Sequence, residues 1–181
     1  MRVPTFVIFA LLALAPSLSQ AAVKQAASDS LLIQDSRVLR VTPAKAYAKL
    51  SDVAYWWDSE HTWSGKAANL SLKPEAGGCF CERWNDNSVQ HMQVLGAIKD
   101  HQLRLQGGLG PLQGMAVQGV MTFTLKPTGD GSTLSFEYRV NGTSASGLDK
   151  LAAGVNSVLM QQLDRLQRYA ETGKAQDAAK P

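Results

Sequence analysis

The sequence predicts an α+β domain in which a curved antiparallel sheet lies against one long C-terminal helix. Near the C-terminus, Leu148, Leu151, Val155, Val158, Leu159, Leu163, Leu166 and Tyr169 recur at three-and-four spacing, which gathers them into one apolar stripe. Upstream, residues 117–125 and 133–140 alternate apolar and polar, the signature of strands with one buried face. Turn-forming clusters at Gly77-Gly78, Asn85-Asp86-Asn87, Lys99-Asp100 and Pro127 to Gly131 divide the middle of the chain into strand lengths.

The helix is predicted from Ser146 to Tyr169. Asp149, Lys150, Asn156, Gln161, Asp164, Arg165, Gln167 and Arg168 fall off the stripe, so one face is expected in water. Ser146 suits the N-cap, with Asp149 three residues on as a capping-box variant near the positive end of the dipole. Gly173 suits the end.

Residues 1–22 read as a targeting segment. Arg2 supplies the positive start, Phe6 to Ala15 the apolar run, and Ser19-Gln20-Ala21 a small-x-small cleavage site. The run is too short to span a bilayer. The expected product is periplasmic or secreted, without stable membrane insertion after cleavage. Residues 23–172 then form one domain, and residues 173–181, small and polar, form a disordered tail. The formal net charge is +3, with lysines and arginines scattered rather than clustered, which argues against nucleic acid as a partner.

Leu31 to Val41 is rich in β-formers and ends at Thr42-Pro43, where threonine caps a short helix and proline takes its first position. A second helical turn is expected from Asp52 through Trp57. Four aromatics fall between Tyr55 and Trp63 and flank His61, and they read either as a plug in the core or as a lid on a cavity. Strands follow at 68–73, 79–84, 89–98 and 101–106. Gly107 to Gly114 holds four glycines and a proline in eight residues, a loop with special backbone demands. It lacks the lysine and following helix of a phosphate-binding loop, so a structural turn or gate is expected.

Cys79 and Cys81 are separated by one residue. On a regular strand they share a face about 6.6 Å apart, a spacing that opposes a disulfide and favours two reduced, half-buried thiols; a redox pair or a soft-metal site is the alternative. No metal site is expected, because His61, His91 and His101 are not at ligand spacing and no second cysteine pair exists. No Gly-x-Ser-x-Gly elbow or His-Glu-x-x-His motif occurs, and no cofactor is expected.

The order of elements, with Thr42-Pro43-Ala44-Lys45-Ala46-Tyr47, Asp52 with Trp56-Trp57, and Gly77-Gly78-Cys79-Phe80, resembles the START-like (SRPBCC) superfamily. That superfamily includes polyketide cyclases, pollen-allergen lipid binders and heat-shock ATPase activator-like proteins. His91, Gly107 to Gln113 and Asn141-Gly142 are similar to exported bacterial members. The resemblance spans Leu31 to Tyr169. It implies the helix-grip fold, with six to seven strands around the helix, and a cavity between the two for a lipid or polyketide-like molecule.

The residues expected to line such a cavity are Trp56, Trp57, Trp63, Phe80, Glu82, Trp84, His91, Phe123, Tyr138, Val155 and Leu159. Period two puts Glu82 between Phe80 and Trp84, where it is either an acid/base group or ligand anchor or a surface carboxylate paired to Arg83 or Arg104. His91 on the next strand can meet it across the hairpin as a dyad. The leading expectation is a binder of a hydrophobic or amphipathic small molecule. A cyclase- or hydrolase-like enzyme using Glu82 and His91, and a protein-interaction module of the cell envelope, are the alternatives.

Overall fold

The computed structural model describes residues 22–176. Residues 1–21 of the expected 1–22 targeting segment, and residues 177–181 of the expected 173–181 tail, lie outside the described residues.

Among the described residues eight strands, not six or seven, form one antiparallel sheet. They are β1 (Val23–Ala27), β2 (Ser30–Leu39), β3 (Leu70–Leu72), β4 (Cys79–Trp84), β5 (Asn87–Ile98), β6 (Gln102–Gln106), β7 (Gln118–Thr128) and β8 (Gly131–Asn141), in the spatial order β1-β2-β8-β7-β6-β5-β4-β3. The unforeseen strand is β1. Its sequence, Val-Lys-Gln-Ala-Ala, carries no apolar alternation, and it exists because its backbone pairs with β2 from Val23↔Ile33 to Ala27↔Ser30.

The β7–β8 hairpin is longer than its sequence suggests. Thr128 pairs with Gly131, so the turn shrinks to Gly129-Asp130 and Pro127 lies inside the strand. A proline fits there because β6 has already ended beside Thr124, leaving that edge of β7 with no ladder to complete. Along both strands the alternation holds: Met121, Phe123 and Leu125 of β7, and Leu134, Phe136, Tyr138 and Val140 of β8, are all buried.

Thr42 caps α1 (Pro43–Ser51) by accepting from the Lys45 N–H, and Pro43 takes the first turn. The next helix, α2 (Val53–Trp56), is a single turn. The long helix α3 spans Leu148–Thr172 and ends at Gly173 in a left-handed conformation. Its start differs from expectation. Ser146 closes a separate 3-10 turn with Thr143, and Gly147, at φ +61°, separates that turn from the helix.

α3 packs chiefly on β1 and β2 and on the two short helices. Leu148, Leu159, Leu163, Leu166 and Tyr169 are buried as the stripe requires, whereas Leu151, Val155 and Val158 stay half-buried. Arg165 was expected on the wet face and is buried instead, at 9% exposure. Its cause is a set of acceptors on the aromatic segment, described below. Past the helix, Arg168 Nε donates to the Ala175 carbonyl and Ala175 is buried, so the chain turns back along α3 at least to that point.

Candidate functional site

The inner face of β4 and β5 holds a dry polar pair. Glu82 has no exposed surface and His91 is 6% exposed. The carboxylate Oε2 lies 3.0 Å from His91 Nε2, and Oε2 and Oε1 also accept the backbone N–H groups of Trp63 and Ser64 at 3.0 and 2.6 Å. Glu82 is therefore an inward carboxylate, not a surface one paired to Arg83 or Arg104.

A β-bulge produces this arrangement. Phe80 pairs with Met92 and Cys81 with Gln90, which leaves His91 as the extra residue on β5. The extra residue turns the imidazole toward the carboxylate. On β4 the alternation fails over Phe80, Cys81 and Glu82, three consecutive buried side chains.

Burial pushes the Glu82 carboxyl upward, but the bonds from Ser64, Trp63 and His91 outweigh it and hold the group below the usual range. Burial pulls His91 below its ordinary value despite the neighbouring charge. An ionised carboxylate only accepts, so neutral His91 presents Nε2–H to it and keeps its free lone pair on Nδ1.

Aromatic rings roof this pair. Trp57 meets Phe80 edge-on at 5.4 Å between centroids, and Phe80 lies 5.0 Å from the His91 ring. Trp56 and Trp57 are buried, whereas Tyr55 and Trp63 are exposed. Arg165 of α3 secures the segment, donating from Nε to Trp56 O at 2.8 Å and from Nη2 to Trp57 O at 3.3 Å, while Nη1 stands 3.3 Å from the Asp58 carboxylate. Gln162 Oε1 accepts the Asp58 N–H at 2.8 Å.

No protein-family model matches the sequence, and neither does any curated protein. Solved structures match its fold. An uncharacterized protein from Rhizobium leguminosarum superposes with a TM-score of 0.58 at 14% identity, over 78% of this chain and 95% of that one. The Aha1 dimer from Colwellia psychrerythraea gives 0.56 at 19% identity, over 79% and 98%. The di-domain ARO/CYC protein StfQ of the steffimycin biosynthetic pathway gives 0.52 at 12% identity, over 79% of this chain and 51% of that one. The fold is helix-grip.

In this helix-grip chain the eleven candidate residues do not share one surface. Glu82 bonds His91, His91 lies against Phe80, Phe80 meets Trp57, and Trp56 lies against Trp57. Phe123 packs on Phe136 at 5.2 Å, and Tyr138 and Leu159 are buried in the same core. Trp84 and Val155 are half-buried, and Trp63 is 58% exposed. Two surface hollows lie among the described residues, and of the eleven candidates Trp57 alone lines one of them. One, of about 720 Å³, is a polar trough on the outer side of the sheet, bordered by Gln34, Arg104, Thr122, Thr124 and Glu137. The other, of about 490 Å³, lies beside the aromatic segment and touches Tyr55, Trp57 and Arg165. Among the described residues no three His, Cys, Asp or Glu groups come together to hold a metal ion, and no helix is long and apolar enough to cross a membrane.

The structure corrects the reading of the cysteines. Cys79 and Cys81 are joined as a disulfide, with Cα atoms 5.3 Å apart rather than a regular strand's spacing. The register shift at Phe80 and Cys81 marks the irregular backbone there. Sequence reasoning missed Arg165 and Asp58, whose only signal was an arginine one turn from the apolar stripe and an aspartate after two tryptophans.

Proposed function

We propose that this helix-grip protein is a member of the START-like superfamily that binds an apolar or amphipathic small molecule on the inner wall of β4 to β6. The supporting observation is the Glu82–His91 pair, a buried polar couple beside the Phe80 ring. Apolar binding sites carry a few fixed polar groups of this kind to orient a ligand. Long helix α3 lies mainly over the other half of the sheet, so the wall is roofed by the aromatic segment from Val53 to Ser64. Entry requires that segment to lift. Half-buried Leu151 and Val155 leave the first half of α3 loosely sealed, and the hollow beside Tyr55 and Trp57 opens at the far end. Export to the periplasm or outside the cell is part of the proposal, on the strength of the positive start, apolar run and small-x-small site within residues 1–22.

Native mass spectrometry of the purified protein, with solvent extraction and binding of an environment-sensitive apolar dye, tests the reading. A co-purifying apolar compound or saturable dye binding is expected. Neither compound nor dye would remove it.

A second reading rests on His91. With Nε2 committed to Glu82, its Nδ1 is the group free to take a proton, and Glu82 acts by orienting the ring. StfQ is an ARO/CYC protein. An enzyme of that kind would lose activity in His91→Gln while retaining ligand affinity.

A further inference from the structure

The Cys79–Cys81 pair is absorbed by neither reading, and we infer that it is a redox-active centre that exchanges with low-molecular-weight thiols. Four observations carry this. First, the bond closes a loop with a single residue between the cysteines. Cross-links stabilise chiefly by closing long loops, so this one contributes little as a staple. Second, the residues it joins are already fixed by the ladder: Ser71 pairs with Cys81, and Cys79 with Gln93. Third, the two sulfurs are unequal. Cys81 is buried at 5% exposure, whereas Cys79 is half-buried at the start of β4, after the exposed turn from Pro74 to Gly77. Fourth, the pair flanks Phe80 and precedes Glu82 in the irregular stretch of β4, so its state reaches the polar pair through one strand.

The unequal exposure sets the order of events. An external thiolate attacks Cys79 Sγ, forming a mixed disulfide and releasing Cys81 as the thiolate. A second external thiolate then attacks the external sulfur of that mixed disulfide. It releases Cys79 as the thiolate and leaves with the first as an oxidised small-molecule disulfide. Two electrons pass from the two external thiols to the protein, and the released thiolates take up protons according to pH. The reverse sequence oxidises the pair.

Equilibrating the full chain with a graded series of reduced-to-oxidised glutathione ratios, then alkylating and weighing it, measures the exchange. The expected result is conversion between bonded and dithiol forms within the series, with the circular dichroism spectrum of the folded chain retained. A pair that stays in one state across the series, or that converts only when the chain unfolds, overturns the inference. In oxidised glutathione, Cys81→Ser should gain one glutathione on Cys79 at least about tenfold faster than Cys79→Ser gains one on Cys81. Equal rates would overturn the assignment of Cys79 as the entry sulfur. Peptide mapping of the wild-type mixed disulfide gives the same answer without either variant.

Discussion

The hydroxyl of Tyr138 on β8 donates to the carbonyl of Gly107 at 3.1 Å, reaching it through space that only a residue without a side chain leaves open. That space is Gly119, where a Cβ would stand 2.8 Å from the Tyr138 hydroxyl and would strike the Gly107 carbonyl. Gly107 itself, at φ +147°, presses on the bulged strand: a Cβ there would lie 2.7 Å from the His91 carbonyl and 3.0 Å from the Met92 Cα. The glycine-rich loop thus starts by locking the bulge that orients His91.

Gly107→Ala should destabilise the fold by about 3 kcal/mol, since it adds a forbidden φ to a backbone collision. Tyr138→Phe removes one hydrogen bond and should cost about 1 kcal/mol. Urea unfolding separates the two. Equal losses would mean that the collision is relieved by a shift of the loop.

Acid should weaken the fold in two steps. His91 titrates below its ordinary value of 6.5 when folded, because burial disfavours the imidazolium. The unfolded chain then binds a proton first, so this contribution is full above about pH 6.5 and is lost as pH falls from there through the folded value. Glu82 titrates below its ordinary 4.5 in the folded state, and its contribution is lost below that pH. Stability curves from pH 8 to 3 should therefore bend twice, and His91→Gln should remove the upper bend alone. A single bend in the wild type near pH 4 would contradict the burial of a neutral imidazole.

Local patterning sufficed for the parts of the fold that obey it. The β7–β8 hairpin and α3 each repeat one period for ten residues or more, and Gly173 ends the helix as a C-terminal glycine should. The edge strand β1 was invisible because its stability lies in backbone pairing with β2, not in its side chains. At the site, Glu82 and His91 could be brought together by assuming an ordinary hairpin. The bulge that actually joins them leaves no local mark, since a shift of one residue depends on what Gly107 presses against. Arg165 was placed in water for a similar reason: its acceptors, Trp56 O, Trp57 O and Asp58, lie over a hundred residues away in the chain. The cysteines failed through the same premise of a regular strand.

Glu82→Gln should loosen the segment that roofs the inner wall without unfolding the sheet. The amide loses the charge and one acceptor oxygen, and its NH2 group must face either the Ser64 N–H or both the Trp63 N–H and the His91 ring. Loss of a buried, fully bonded charge should cost about 2–4 kcal/mol. Hydrogen exchange at the Trp63 and Ser64 amides is the specific readout. Their protection should fall while that of β7 and β8 is retained, and a uniform fall across the sheet would show Glu82 to be a general core element instead.

Arg165→Met tests whether α3 holds the aromatic segment shut. Methionine retains the bulk of the aliphatic stem but abandons the carbonyls of Trp56 and Trp57 and leaves Asp58 a carboxylate without its cation, though still bonded to Gln161 and the Glu60 N–H. Breaking one side of a buried ion pair costs about 3–5 kcal/mol when the remaining charge is sealed in; Asp58 keeps these other partners, so a loss of about 2–3 kcal/mol is expected. The same change should raise acrylamide quenching of tryptophan fluorescence, because Trp56 and Trp57 are buried and gain exposure once the segment is freed. Apolar dye binding should become faster if lifting that segment is the route to the inner wall. Destabilisation with unchanged quenching would place the effect in α3 alone and separate the arginine from the roof.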